Sequence, residues 1–177
     1  MEIKAKCRFD KESAKAVAYV SAYKKSNPKK MAFGRIALFA VLLLVIIAEL
    51  IIFGFRPMLA TLIAVNLFII GLDLFMYFNL PKTQYKSFGE MKEAENDYSF
   101  GYNAVKIQTK GKNLTAEAEI EYTMLTKVYE TSRYFFLFLP GNRVYFVDKA
   151  TMKGNDAFAI RNKLQSVLKK KYLLCNY

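Results

Sequence analysis

Two apolar stretches decide the fold: IALFAVLLLVIIAELIIFGF at residues 36–55 and MLATLIAVNLFIIGLDLFMYFNL at residues 58–80. Only Arg56 and Pro57 separate them. At a rise of about 1.5 Å per residue, each stretch is long enough for a hydrocarbon core of about 30 Å. The short connection allows only an antiparallel turn, and Pro57 suits the first turn of a second helix. A soluble chain of this size could not wrap two helices that are apolar on every side. The sequence therefore predicts that residues 31–81 form a helical hairpin that crosses a membrane twice.

The chain has 177 residues and a formal net charge of +12, and the positive charge lies outside the two apolar stretches. Residues 1–35 hold ten lysines or arginines against three acidic residues, and residues 81–177 hold sixteen against ten. The turn between the spans holds Arg56 alone. By the positive-inside rule, we expect a multi-pass cell membrane protein with both termini in the cytoplasm. Membrane lipids are therefore expected partners, and nucleic acid is not.

Histidine is absent from the sequence, and cysteine occurs only as Cys7 and Cys175. The lack of histidine excludes Ser-His-Asp and Cys-His catalysis and histidine-ligated zinc or haem. The two cysteines lie at opposite ends of the chain and outside any Cys-x-x-Cys pair, so neither a disulfide nor a metal site is predicted. The glycines form no phosphate-binding loop. We therefore expect no catalytic residues and no cofactor.

The N-terminal cytosolic segment, residues 1–30, predicts a strand followed by a helix. Ile3, Ala5 and Cys7 alternate with basic residues, which is typical of a strand. Asp10 is a candidate N-cap for the helix. Because this segment returns to the same side of the membrane as the C-terminus, we expect it to complete the C-terminal domain.

The C-terminal cytosolic domain, residues 82–177, carries a β pattern and then one helix. Residues 114–122 alternate between apolar and polar side chains. Residues 134–139 and 144–147 are wholly apolar and predict central strands. An amphipathic helix begins near residue 155. The predicted fold class is a membrane α-helical hairpin plus an α+β cytosolic domain, in which an antiparallel pleckstrin-homology-like β-barrel or sandwich is closed by a C-terminal helix.

Three segments of this domain resemble the C-terminal signature of the bacterial YcxB-like proteins: YTMLTKVYET at 122–131, YFFLFL at 134–139 and VDKA at 147–150. The resemblance implies two adjacent membrane spans and a pleckstrin-homology-like C-terminal domain. The family form usually has a proline before the lysine where this chain has Asp148, so the approach to the last helix is expected to differ. The resemblance carries no catalytic residues to this chain.

Four polar residues lie in or beside the predicted spans: Arg35, Glu49, Asn66 and Asp73. From their distances to the turn, Glu49 and Asn66 are predicted to share a hydrogen bond, and Arg35 is predicted to reach Asp73 near the cytoplasmic surface. Arg56 is predicted to shield Glu49, which lies two turns away on the same face. These residues either clamp the hairpin or its oligomer, or they form a proton or ion path.

A second candidate site is basic. Lys106, Lys110 and Lys112 surround a predicted turn at Gly111. In lipid-binding pleckstrin-homology domains, basic residues around the first hairpin hold phosphorylated headgroups, and each lysine near an anionic leaflet contributes about 1 kcal/mol. The alternative is an ordinary solvated turn.

An aromatic set occupies the predicted central strands: Tyr129, Tyr134, Phe135, Phe136, Phe138, Tyr145 and Phe146. It forms either the core of the domain or an exposed docking face, and the core is favoured. Phe135 and Phe136 are neighbours on a strand, so both are buried only if both faces of the sheet are covered.

These observations favour a non-enzymatic membrane protein whose cytosolic domain binds a protein partner or anionic lipid at the membrane surface. Self-association of the hairpin is expected through the small residues Ala60, Ala64 and Gly71. The alternative function is a small subunit of a transport or envelope-stress complex, in which the hairpin is the working part.

Overall fold

The computed structural model describes residues 3–24 and 26–175, with Asn142 described by its backbone alone. A strand and a short helix precede two long helices, and a strand-rich domain follows. In chain order the elements are β1 (Ile3–Arg8), α1 (Lys11–Tyr23), α2 (Pro28–Phe53), α3 (Pro57–Ser87), β2 (Glu95–Phe100), β3 (Ala104–Lys110), β4 (Thr115–Glu121), β5 (Lys127–Glu130), β6 (Tyr134–Phe138), β7 (Val144–Asp148), α4 (Asp156–Leu168) and β8 (Tyr172–Leu174).

The ends of the two long helices follow from local sequence. Asn27 caps α2, because its side-chain oxygen accepts a hydrogen bond from the backbone N–H of Lys30, and Pro28 occupies the first turn. Gly54, with a φ of +77°, ends α2, and Pro57 begins α3. Both helices are long and apolar enough to cross a membrane.

A seam with heptad spacing joins α2 to α3. Beyond the first turn of α2, the side chains that are not fully exposed recur at intervals of four and three residues: Ala32, Ile36, Phe39, Leu43, Ile46 and Leu50. The matching positions of α3 are Leu59, Ile63, Asn66, Ile70, Asp73 and Tyr77. This spacing is that of an antiparallel coiled coil, in which the seam side chains of each helix pack against the other. Most other side chains of both helices face outward.

Eight strands form one mixed sheet, in the order β4-β3-β2-β1-β7-β6-β5-β8. Neighbouring strands are antiparallel except β5 and β8, which are parallel. The N-terminal strand β1 lies in the middle of the sheet, between β2 and β7. The N-terminal segment therefore completes the sheet, as we expected from the sequence.

The predicted barrel or sandwich closed by a C-terminal helix is found in part: one mixed sheet is followed by the helix α4, but the sheet does not close on itself. β4 and β8 remain as its two edges. The C-terminal helix α4 instead buries Ile160, Leu164 and Leu168 in the main core. This helix therefore covers part of the apolar surface of the sheet.

The two apolar strands are central, as predicted. Phe135, Phe136 and Leu137 of β6 are fully buried, and so is Val147 of β7. Successive residues of a strand point to opposite faces, so both faces of the sheet are covered here. The aromatic residues of these strands thus belong to the core.

Side-chain contacts join the hairpin to the sheet domain at the end of α3 and along α1. The helix α3 runs on past the apolar stretch, and the ring of Phe88, directly after it, lies 5.1 Å from that of Phe9 and 6.0 Å from that of Phe146. The helix α1 packs along α3, and Tyr19 stacks on Tyr77 at 5.3 Å. The orientation of the hairpin relative to the domain is therefore fixed by side-chain packing.

Candidate functional site

The structure brings Arg35 and Asp73 together. A guanidinium nitrogen of Arg35 lies 2.8 Å from a carboxylate oxygen of Asp73. Asp73 is a buried seam residue of α3, whereas the Arg35 side chain at the edge of α2 is about half exposed. The ion pair clamps the end of the hairpin that is remote from its turn, where Phe33 also contacts Tyr77 at 5.7 Å between ring centroids.

Asn66 and Glu49 do not meet, so the predicted hydrogen bond between them is wrong. Asn66 is a seam residue that is only 3% exposed, and neither polar atom of its side chain has a hydrogen-bond partner among the residues that the structure describes. The contacts of Arg35 and Phe33 fix the register of the hairpin, and this register places Glu49 at the same level along the hairpin axis as Ala60 of α3. Asn66 then lies about six residues, or about 9 Å, further along the axis.

Glu49 faces outward from α2 and is exposed. Its side chain makes no hydrogen bond or ion pair with any residue that the structure describes. Arg56 does not shield it as predicted, because the guanidinium lies 5.8 Å from the ring centroid of Phe53 instead. The hairpin therefore carries one unpaired outward carboxyl and one unpaired inward amide.

The three predicted lipid-binding lysines do not form one cluster. The ammonium group of Lys110 lies 3.0 Å from Asp97, and that of Lys6 lies 3.3 Å from the same carboxylate. The hydrogen bond from Lys110, together with Lys6 and against partial burial, holds the pKa of Asp97 below its ordinary value. Lys106 lies on the same strand face, about 13 Å from Lys110 along β3, and Lys112 is exposed in the turn.

Lys106 lines an open cleft of about 1050 Å³ on the solvent face of β1–β4. The turn after β7 forms its other wall, held there because Thr151 Oγ1 accepts a hydrogen bond from Lys6 N–H at 2.8 Å. Basic and acidic side chains line the cleft in equal number: Lys4, Lys6, Lys106, Lys153, Asp97, Glu117, Glu119 and Asp156. The cleft is therefore mixed in charge, unlike a pocket built only for phosphate.

A buried ion cluster, which the sequence reading missed, lies behind the central strands. The Glu130 carboxylate is fully buried and accepts hydrogen bonds from Lys149 at 2.9 Å, from Arg161 and from the hydroxyl of Tyr172. Burial raises the pKa of Glu130, but the bonds from Arg161, Tyr172 and Lys149 outweigh it and hold that pKa below its ordinary value. One sequence signal could have indicated that Glu130 is buried: it is two residues after Val128, a core residue, and therefore lies on the same face of the strand.

Asp148 occupies the position at which the sequence departs from the YcxB-like pattern, and it has two structural roles. Its carboxylate accepts a hydrogen bond from the N–H of Ala150 at 2.9 Å, which starts the turn after β7. It also accepts bonds from Arg133, which contacts Glu12 of α1 as well. The hydrogen bond to Asp148 raises the pKa of Arg133 above its ordinary value. These linked contacts, from Glu12 through Arg133 to Asp148, therefore connect α1 to the central sheet.

The remaining chemistry is sparse. Among residues 3–24 and 26–175, no group of three or more Cys, Asp or Glu side chains could hold a metal ion. Cys7 and Cys175 are both buried. Burial, with Asp148 nearby, raises the pKa of the Cys7 thiol, so that its reactive thiolate is disfavoured.

Comparison with known proteins adds one finding. No curated protein matches this chain, and no solved structure does. A family model described as "YcxB-like protein" matches residues 107–164, which run from β3 into α4 and include Glu130, Lys149 and Arg161 of the ion cluster. The resemblance predicted from the sequence is thus confirmed by a match over residues 107–164, and this segment is similar to the YcxB-like family.

Proposed function

We propose that this chain is an integral membrane protein, in which the hairpin of α2 and α3 crosses the cell membrane twice and holds a pleckstrin-homology-like domain at the cytoplasmic surface. The observation that carries the proposal is the outward face of the hairpin. Large apolar side chains are well exposed from one end of the hairpin to the other, including Leu38 at 67%, Ile51 at 77% and Phe75 at 64%. An apolar surface of this extent is stable only in contact with lipid or another protein.

The position of β1 supports a double crossing. β1 precedes the hairpin and pairs with β2 and β7, which follow it. Both ends of the hairpin must therefore lie on the same side of any membrane that it enters, and the excess of basic residues in the flanking segments favours the cytoplasmic side.

A topology assay tests the anchor. A reporter that is active only outside the cytoplasm, fused after Phe55, is expected to be active, whereas the same reporter fused after Tyr177 is expected to be inactive. A control fusion at Gly111, in the turn after β3, is also expected to be inactive. Activity at Gly111, or extraction of the untagged chain from membranes by alkaline carbonate, would contradict the proposal.

We further propose that the domain is a non-enzymatic binding module whose partner is a protein segment of mixed charge, held in the cleft on β1–β4. Lys4, Lys106 and Lys153 line this cleft and form no ion pair within the described parts of the chain. Glu119 and Asp156 line it as well, and they would repel a phosphorylated headgroup while they attract basic side chains of a peptide. The cleft therefore fits a peptide better than an anionic lipid.

Purification of the tagged full-length protein in mild detergent, with mass spectrometry of co-purified proteins and lipids, tests the binding site. A specific protein is expected at near-stoichiometric amount. It should be lost from the variant with Lys4→Gln, Lys106→Gln and Lys153→Gln, and it should remain with the control Lys112→Gln, which changes an exposed lysine outside the cleft. Retention by the triple variant would contradict the proposed site, and enrichment of anionic lipid alone would favour headgroup binding instead.

A second candidate function is that of a small subunit of a transport or envelope-stress complex, in which the hairpin does the work. The unpaired carboxyl of Glu49 and the unpaired amide of Asn66 favour it, since polar groups in a span are often functional. Glu49→Leu should abolish the activity of such a complex and leave a simple anchor unaffected.

A further inference from the structure

The outward carboxyl of Glu49 has no explanation within one copy of the chain. If the hairpin spans a membrane as proposed above, Glu49 lies five residues before the end of α2 at Gly54, about 8 Å inside the apolar region. Carboxyl side chains at such depth rarely face lipid and almost always pair with one another or face a protein interior. Its neighbours on the outer face, such as Val45 and Ile52, are apolar and exposed.

The basic groups of the hairpin are out of reach or already engaged. Arg35 pairs with Asp73 at the opposite end of the helix, and Arg56 lies over Phe53 at the turn. Asn66 is enclosed in the seam, about 9 Å further along the axis. The partner of Glu49 must therefore come from another molecule.

The two flanks of the hairpin differ in character. Glu49 comes directly before the seam residue Leu50, as Leu42 comes directly before the seam residue Leu43. Both therefore lie on the same side of the seam, which we call the Glu49 flank. Ala60 and Ala64 follow seam residues of α3 and are exposed on the opposite flank. An interface that satisfies Glu49 is therefore distinct from one built on these small residues.

We propose that the hairpin forms a symmetric dimer through its Glu49 flank, with the Glu49 carboxyl groups of the two copies hydrogen-bonded to each other. A twofold axis along the membrane normal places equivalent residues of the two copies at the same depth, so it brings the two carboxyls face to face. Leu42, Val45 and Ile52 then pack against the same residues of the second copy. The interface would turn two hairpins into a four-helix bundle.

Equal depth favours a second copy as the partner, because a twofold axis brings a second Glu49 carboxyl to the first without any further polar residue. No basic residue of this chain lies at the depth of Glu49, so an ion pair with an equivalent chain is not available, whereas a carboxyl pair is. A different protein with a basic residue in its span would be the competing occupant, and it would leave the chain monomeric when purified alone.

The test measures the dimer fraction of the full-length protein in liposomes by single-molecule photobleaching, over a range of protein-to-lipid ratios. The wild type and Glu49→Gln, which retains hydrogen bonding, are expected to dimerise. Glu49→Leu is expected to weaken association by roughly 3- to 20-fold, as for other polar contacts between membrane helices. Ala64→Leu, which enlarges a side chain on the opposite flank, is the matched control and is expected to leave the dimer unchanged.

Several results would overturn the inference: a monomeric wild type, a Glu49→Leu variant that dimerises like the wild type, or loss of the dimer in Ala64→Leu. Flotation of the protein with the liposomes separates this inference from the proposed function. A chain that floats but stays monomeric contradicts the dimer alone, and a chain that does not float contradicts the membrane anchor itself.

Discussion

The replacement Glu130→Ala tests the buried ion cluster. Glu130 is fully buried, and its carboxylate is held by Lys149, Arg161 and Tyr172, which come from three different parts of the chain. These contacts tie β5 to the turn after β7, to α4 and to β8. Loss of the carboxylate would leave two cations without their common partner.

The magnitude follows from the exposure of those cations. Breaking a buried ion pair by removing one partner costs about 3–5 kcal/mol, because the other charge stays buried and unpaired. The Arg161 side chain is 36% exposed and can turn toward water, whereas Lys149 is 14% exposed and cannot do so fully. We therefore expect a loss of about 3 kcal/mol in the free energy of unfolding, at the low end of that range.

The assay is chemical unfolding of the full-length protein in detergent. Unfolding is monitored by the circular dichroism of the tyrosine side chains, since the chain contains no tryptophan. Glu119→Ala is the matched control: Glu119 is an exposed strand residue without an ion pair in the described parts of the chain, and its replacement should change stability by less than about 0.5 kcal/mol. An equal effect of the two replacements would refute the reasoning.

The pH dependence of stability gives a second readout for Glu130. Because its pKa is below the ordinary value of 4.5 in the folded state, its ionisation stabilises the fold above about pH 4.5 and ceases to do so as the pH falls through the folded pKa. Glu130→Gln should lack this acid-induced loss. An acid limb of the stability curve that is unchanged in Glu130→Gln would show that other groups cause it.

Three further predictions concern other parts of the molecule. Asn66→Leu removes a buried amide without partners and should stabilise the hairpin by about 1 kcal/mol or more, measured as a higher midpoint of unfolding in sodium dodecyl sulfate; a lower midpoint would mean that the amide has a partner. Deletion of residues 1–9 removes the central strand and should abolish cooperative unfolding of the domain, so an undiminished transition would contradict the observed strand order. The ionised carboxylate of Asp97 should stabilise the fold at a pH above the ordinary carboxyl pKa, and this contribution should be lost as the pH falls. Asp97→Asn should remove this pH-dependent part of the free energy of unfolding, whereas Lys112→Gln should leave it unchanged.

The sequence predicted the hairpin because an unbroken apolar stretch needs no long-range information. It also predicted the pairing of Arg35 with Asp73, because the long side chain of Arg35 can bridge the difference of four residues between their distances from Arg56. It failed for Glu49 and Asn66 because depth was counted from Arg56, whereas α2 already ends at Phe53. The midpoint about which residues of α2 and α3 pair is therefore closer to the N-terminus than Arg56. As a result, Glu49 and Asn66 lie at different levels along the hairpin axis.

The ion cluster and the strand order could not be predicted, for a different reason. Glu130, Lys149, Arg161 and Tyr172 are brought together by pairing between distant strands and by the packing of α4. Periodicity reports which face a residue occupies, but it does not report which strands are neighbours. The central place of β1 shows this limit well, since its alternation predicted a strand but not its position.

The order of the chain links folding of the domain to insertion of the hairpin. The central strand β1 is synthesised before the hairpin, and its neighbours β2 and β7 are synthesised after it. If the hairpin spans the membrane as proposed, β1 can join the sheet only after both spans are in place, because a single crossing would leave its partners on the other side. Until then β2 and β7 each lack a neighbour, and such unpaired edges favour aggregation. The packing of α1 along α3 places β1 beside the emerging strands, and the pair Arg35–Asp73 holds the hairpin closed where the chain leaves the apolar region.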